Sequence, residues 1–394
     1  MKLPYLALLV IIGLVEFARG GLIVSLLPTY LPHELGYSMA LVGFAVSAQY
    51  VCDTVFKTPA GYLSDRFGPR TVLLAGLALS ALALVIMYRA RDPGDLVAAA
   101  GLFGLGASPV WPAVISGATH LNPAHKRATV MGSVFIGWIV GGGSGPILTN
   151  FFLGRTAGQA FALLWAAVLA GLLLAAVLVR GPGLHGTRRR FFQAPIREQF
   201  RVVVRDLRGI HLLFPAMFLQ TLAVGILIPV LIRYARDYLH LSHALFAYLL
   251  IAGAATMALL LIPLGRLADH VRHRPLLVAG FLLSAPLLVA LIYTRSLPAI
   301  FGLVMVIAAC YSLILPAWNS LLTKAVPGDK RGMLMAVFMT VEGMGLAVGA
   351  AAGGELWASV SPQTPFLVCA GVLAVMGVFY LLFPLEQAVT LREV

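Results

Sequence analysis

Glu16 and Arg19 stand three residues apart in the middle of an apolar run that extends from Pro4 to Leu31. On a helix that spacing puts both on one face, one turn apart, where their charges can neutralise each other. A charge at mid-bilayer costs about 2.5–3.5 kcal/mol on insertion scales. A chain carrying two there either turns them toward a water- or substrate-filled interior or uses them to lock helices together. In the next apolar run, Gln49, Asp53 and Lys57 recur every four residues and form one stripe. Lys57 reaches Asp53 directly or extends along the helix toward the membrane surface. Trp111 and Trp138 add large rings from two further runs, and Pro109 and Pro112 loosen the backbone beside Trp111. Carboxylates accept hydrogen bonds from hydroxyls, and indoles cover the apolar face of a sugar. Alternatively, the two tryptophans simply fill core volume.

The second half of the chain is drier. Neutral Gln220 stands where the internal repeat described below would put Glu16, and Tyr248 and Thr256 are the main polar groups of the following run. Tyr311, Trp318 and Asn319 supply hydrogen-bonding edges, and Glu342 is the clear mid-run acid. Gly343, Gly345, Gly349, Gly353 and Gly354 mark close helix packing. Trp165 and Trp357 fall nearer run ends or lipid-facing stretches and read as interfacial anchors. A charged and aromatic first half opposite an apolar second half suits an amphiphile, with a headgroup at Glu16, Arg19, Asp53 and the tryptophans and acyl tails along the other side. The candidate substrate-binding set is therefore Glu16, Arg19, Gln49, Asp53, Trp111, Trp138, Gln220, Trp318 and Asn319. Glu16, Asp53 and Glu342 are the candidate proton carriers.

The elements that must position these residues follow from composition. The 394 residues are 60% hydrophobic and 11% charged, against about 45–50% and about 25% in soluble domains. Each membrane span needs about 20 apolar residues, and the pattern predicts twelve, from 4–31 to 363–384. The first run is too long for a signal-peptide core and lacks a small-residue cleavage site, so no cleavable leader is expected. The net charge of +13 is concentrated in alternate loops, at Arg66, Arg70, Lys126, Arg127, Arg266, Arg272, Arg274, Lys330 and Arg331 and along Arg180 to Arg208. That is orientation by the positive-inside rule, with both termini cytoplasmic, rather than a nucleic-acid surface. The polar interval 181–210 separates an N-terminal bundle, 1–180, from a C-terminal bundle, 211–394. It reads either as an amphipathic helix on the inner membrane surface or as a plain linker. Cys52, Cys310 and Cys369 fall inside apolar runs, which argues against disulfide or thiol chemistry. The histidines are scattered and no nucleophile–base pair is recognisable, so the pattern argues against an enzyme.

The chain repeats itself at an offset of about 204 residues. Gly61-Tyr-Leu-Ser-Asp65-Arg66-Phe-Gly68-Pro-Arg70 recurs as Gly265-Arg-Leu-Ala-Asp269-His-Val-Arg272-His-Arg274. Gly21 matches Gly225 and Tyr30 matches Tyr234. Six spans followed by six related spans form a parallel duplication, an arrangement that usually places a transport site between the halves near the midplane.

The Gly61–Arg70 decapeptide resembles the signature of the major facilitator superfamily, departing from it only at Pro69, where a basic residue is usual. The resemblance implies an all-α membrane protein of twelve transmembrane helices in two pseudo-symmetric six-helix bundles. It also implies a conformational latch at Gly61, Asp65, Arg66, Gly68, Arg70 and Asp269. Glu16-Phe17-Ala18-Arg19-Gly20, Asp53, Ser108-Pro109-Val110-Trp111, Trp138, Phe214-Pro215 with Leu219-Gln220, and Leu315-Pro316-Ala317-Trp318-Asn319 resemble the flippases of the lipoteichoic-acid anchor glycolipid. That branch implies a diglucosyl-diacylglycerol substrate moved between leaflets of a bacterial cytoplasmic membrane against a proton counterflow. It implies a headgroup pocket at Glu16, Arg19, Asp53, Trp111 and Trp138, a monomer in the lipid bilayer with a membrane glycolipid as partner, and no cofactor beyond the proton gradient. Lys57 and the run Gly141-Gly142-Gly143-Ser144-Gly145-Pro146 depart from the branch. The glycine run resembles part of the span-5 motif of proton-coupled drug exporters, and export of drugs or small amphiphiles is the alternative reading.

Overall fold

The computed structural model describes residues 3–121, 127–179, 212–271, 273–325 and 331–383. The 181–210 interval and the side chains of Asp65 and Asp269 lie outside the described residues. Every regular element among the described residues is helical. Among the described residues, twelve helices are long and apolar enough to cross a membrane. In order they are Leu3–His33, Met39–Ser64, Pro69–Arg89, Pro93–Ala118, Val130–Leu153, Ala157–Leu178, Leu213–Asp237, His243–Leu267, His273–Tyr293, Leu297–Leu322, Val337–Ser359 and Thr364–Leu382, numbered here as spans 1 to 12. The chain is a multi-pass membrane protein. Its backbone contacts define two units. One comprises Met1–Thr187 with Ile228–Tyr248 and Ala350–Ser359; the other comprises Arg188–Leu227, Leu249–Gly349 and Val360–Val394.

In the first unit the glycine run turns out to be a packing seam. A methyl group added at Gly141 would collide with the Gly13 carbonyl of span 1, and one at Gly145 with the Phe17 carbonyl. Glycine is what allows spans 1 and 5 to approach backbone to backbone. Gly142 and Gly143 have nothing in the way of an added methyl. The seam recurs one repeat later, in the second unit. There Gly345 faces Phe218 and Thr221 of span 7, and Gly349 faces Leu222 and Gly225. Gly141 and Gly145 are each 204 residues before their counterparts, so the duplication has kept the contact as well as the sequence.

Two spans near the charged residues are irregular. Span 1 is α-helical to Gly20, π-helical over Gly21–Leu26, and α-helical again to His33. The widened turn is held from the side: Ser25 Oγ donates to the Pro146 carbonyl at 3.1 Å, and Asn150 Nδ2 donates to Ser25 Oγ at 2.7 Å and to the Pro146 carbonyl at 2.8 Å. Pro146 has no N–H to offer the Gly142 carbonyl one turn earlier, while the Ser25 and Asn150 side chains add donors at its own carbonyl. Span 4 breaks at Ser108-Pro109 into Pro93–Ala107 and Val110–His120, as its prolines lead one to expect. The second helix starts one residue before Trp111.

Between spans 2 and 3, Gly68 adopts φ +86°, a left-handed turn that side-chain-bearing residues rarely take. Two residues on, Arg70 donates to the Ala176 carbonyl at 2.7 Å, near the C-terminal end of span 6. In the second unit Arg274 donates to the Tyr380 carbonyl at 3.0 Å and to the Leu381 carbonyl near the end of span 12. The terminal carbonyls of a helix have no partner of their own, and a guanidinium satisfies them. The core of the second unit gathers Phe281, Trp318, Phe338 and Tyr380, with Phe214 stacked on Phe338 at 4.5 Å between ring centroids.

Candidate functional site

The four charged side chains singled out in spans 1 and 2 form one cluster. Arg19 NH2 lies 2.5 Å from Glu16 Oε2, and its NH1 lies 3.3 Å from Asp53 Oδ2. Lys57 Nζ reaches the same Asp53 oxygen at 2.9 Å, so of its two open alternatives the direct one is taken. Two anions and two cations thus alternate along a chain from Glu16 to Lys57. The side chains of Glu16 and Asp53 are each 5% exposed, and Lys57 is the most open of the four at 23%. Charges this deep are tolerable only when paired and hydrogen-bonded.

Tryptophan closes the cluster on one side. The Trp111 indole N–H donates to Glu16 Oε1 at 3.1 Å, a contact between residues 95 apart in sequence. Each Glu16 oxygen therefore has its own donor. Trp111 packs edge-on against Trp138 at 6.3 Å and against Phe135 at 5.6 Å, and Phe135 in turn meets Trp138 at 6.4 Å. Trp111 is buried, whereas Trp138 is half-buried and Phe135 exposed. Phe135 completes a three-ring face that sequence reading missed. Its only signal was a position three residues before Trp138, on the same side of span 5. Tyr50 is buried three residues before Asp53 on the same span.

Other candidate residues sit elsewhere. Gln49 is fully buried where spans 2 and 4 cross, its backbone against Gly104, and its amide has no hydrogen-bond partner among the described residues. In the second unit Gln220 is buried, and its Oε1 has no partner among the described residues. Trp318 belongs to the apolar core there, with its indole N–H likewise unpartnered among the described residues. Asn319 is exposed and donates to the Leu315 carbonyl of its own helix at 3.0 Å. Glu342 is half-buried, and its charge acts on Tyr311. Trp357, read as an interfacial anchor, packs against Tyr234 and Tyr238, edge to face at 6.2 and 5.8 Å.

Of the latch residues, Gly61 faces Pro112 of span 4, as Gly265 faces Pro316 one repeat later. Arg66 lies over the Phe67 ring at 5.2 Å, and Arg70 caps span 6. The latch thus contains at least one residue whose described contact is a helix cap within its own half.

The cluster combines fixed charges, the Trp111 indole N–H and three aromatic rings inside a membrane-spanning bundle. A site of that make-up can bind and release a polar group and exchange protons. The comparisons with known proteins agree with that class. The model of the Major Facilitator Superfamily matches residues 8–210 and 213–393. The chain is 28% identical over 383 residues to the "Proton-coupled antiporter flippase LtaA" of Staphylococcus aureus strain N315, spanning 95% of this chain and 93% of that protein. The protein of the same name from strain USA300 is 27% identical over the same length. Among solved structures, the nucleoside transporter NupG superposes with a TM-score of 0.78 at 14% identity, covering 97% of this chain and 98% of that one. An inward-facing bacterial homolog of the human lysosomal transporter Spinster superposes with a TM-score of 0.77 at 17% identity, covering 98% and 97%. The protein is a transporter rather than an enzyme. With a shared sequence model running through both repeats and twelve spans to carry it, the chain belongs to the major facilitator superfamily.

Proposed function

We propose that this transporter is a proton-coupled flippase that moves a glycolipid from the inner to the outer leaflet of a bacterial cytoplasmic membrane. The observation that carries the reading is the buried chain Trp111–Glu16–Arg19–Asp53–Lys57, flanked by the Trp138 and Phe135 rings. A sugar headgroup has hydroxyls for the carboxylates and an apolar face for the indoles. Asp53 Oδ1 has no described partner and is the acceptor open to a hydroxyl. The name of the S. aureus relatives supports both the flippase and the antiport parts of this reading.

In the proposed cycle the N-terminal (1–180) and C-terminal (211–394) halves alternate between inward- and outward-open states, with both termini in the cytoplasm and the acyl tails left in lipid. Departure of the headgroup on the outer side frees Glu16 or Asp53 to take a proton, and return to the inner side releases it. Gln49, Gln220, Trp318 and Asn319 are proposed as further substrate-binding residues and Glu342 as a further proton carrier, and the Gly61–Arg70 segment with Asp269 is proposed to stabilise one of the two conformations. The protein is proposed to work as a monomer with lipid as its only partner. Gly141 and Gly145 of the run that suggested a drug exporter form the span 1–span 5 seam, and export of drugs or small amphiphiles remains the alternative reading.

The test is flipping of fluorescent diglucosyl-diacylglycerol in proteoliposomes. Glu16→Ala and Asp53→Ala proteins that still fold are expected to lose transport, and wild-type turnover in either would count against the site.

A further inference from the structure

We propose that Lys57 is a specificity-determining residue that brings the fixed charge of the site to zero, so that the pocket selects a headgroup with no net charge. This rests on the glycolipid reading above and deepens it. Glu16, Arg19 and Asp53 by themselves sum to one negative charge. Lys57, one helical turn beyond Asp53 and 2.9 Å from its Oδ2, supplies the missing positive one. Arg19 bridges Glu16 and Asp53, and Lys57 shares the same Asp53 oxygen, so the four form one connected group and not two separate pairs.

The consequence for ligands follows from the environment. An uncompensated charge within a membrane bundle is expensive, and the partner that cancels it is therefore selected strongly. A three-charge site would require that partner from its ligand, and would favour a cationic amphiphile. The four-charge site offers hydrogen-bonding edges and aromatic faces without a net field. It admits a neutral polyol and disfavours an anionic phosphate or a cationic ammonium headgroup, each of which would leave a charge unmatched.

The experiment uses the full-length protein in uncharged detergent at alkaline pH. It measures the concentration of added amphiphile that gives half of the maximal rise in melting temperature. Three probes are compared: diglucosyl-diacylglycerol, phosphatidylglycerol and an alkyl-trimethylammonium. The wild type is expected to respond at the lowest concentration to the neutral glycolipid. Lys57→Gln should shift the preference toward the ammonium amphiphile by about tenfold or more, the effect of a mismatch of about 1.4 kcal/mol. Lys57→Arg should keep the wild-type order. The double variant Lys57→Gln with Asp53→Asn, again neutral, should return the preference to the glycolipid. It also provides a folded comparison if the single variant is unstable.

Lys57→Gln and the double variant with the same order of preference would overturn the assignment while leaving the glycolipid reading in place. A wild type that responds to none of the three overturns both.

Discussion

Glu16 is held by two donors of different kinds, and they have different consequences. Arg19 balances its charge from one turn away, whereas the Trp111 indole fixes where its other oxygen points. Trp111→Phe keeps most of the ring packing against Phe135 and Trp138 but removes that donor. A hydrogen bond to a charged group contributes about 1.5–3 kcal/mol to stability, so the melting temperature should fall, and flipping by the protein that stays folded should fall further because Glu16 loses the donor that orients it. Equal losses of activity and stability would show the indole to be structural only. The charged members of this site were legible in the sequence because each breaks an apolar run, and membrane insertion penalises such breaks. The Trp111–Glu16 bond was not, because it joins residues 95 apart and depends on how spans 1 and 4 pack. Phe135 stayed hidden for a simpler reason: its one signal, a place three residues before Trp138, does not stand out in a span rich in apolar residues.

Helix pairs in this protein are set by small residues and by arginine caps. The Gly141/Gly145 seam makes a sharp prediction because neighbouring glycines differ. Gly141→Leu or Gly145→Leu forces spans 1 and 5 apart and should cost at least about 1–3 kcal/mol, read as a lower melting temperature. Gly142→Ala meets open space and should be close to neutral. The same substitution series at Gly345 and Gly349 should reproduce the large effect in the second unit. Asn150→Ala removes the donor to Ser25 Oγ and the Pro146 carbonyl beside the π-helical turn. Intramembrane hydrogen bonds average about 0.6 kcal/mol with a maximum near 1.7. A modest loss of stability is expected, with a larger loss of transport if the π-turn positions Arg19. From sequence, the run read as an exporter-like motif. Its packing role depends on which face of span 5 meets span 1, and composition does not encode that.

At the scale of the molecule, the parallel duplication has preserved contacts as well as residues. Arg70 and Arg274 cap the sixth span of their own repeats, and the paired glycine seams sit at the same offset. What it has not preserved is charge: Glu16 has Gln220 as its counterpart. The proposed proton coupling rests mainly on the acids of the first half, Glu16 and Asp53. An acidic exterior should therefore accelerate outward flipping, and collapse of the gradient with an ionophore should slow it. A rate indifferent to the gradient would remove proton coupling from the mechanism. The sequence by itself determined the membrane setting, the twelve spans, the duplication and the charged core of the site. Each of those is written in local hydropathy, in spacing along one helix, or in self-similarity at a fixed offset. Only the tertiary structure decided that Lys57 turns to Asp53, that Trp111 serves Glu16, that Trp318 lies in an apolar core, and that the glycine run is a seam. Those outcomes depend on which helix faces meet, and side-chain packing between distant segments settles that, not the pattern within any one of them.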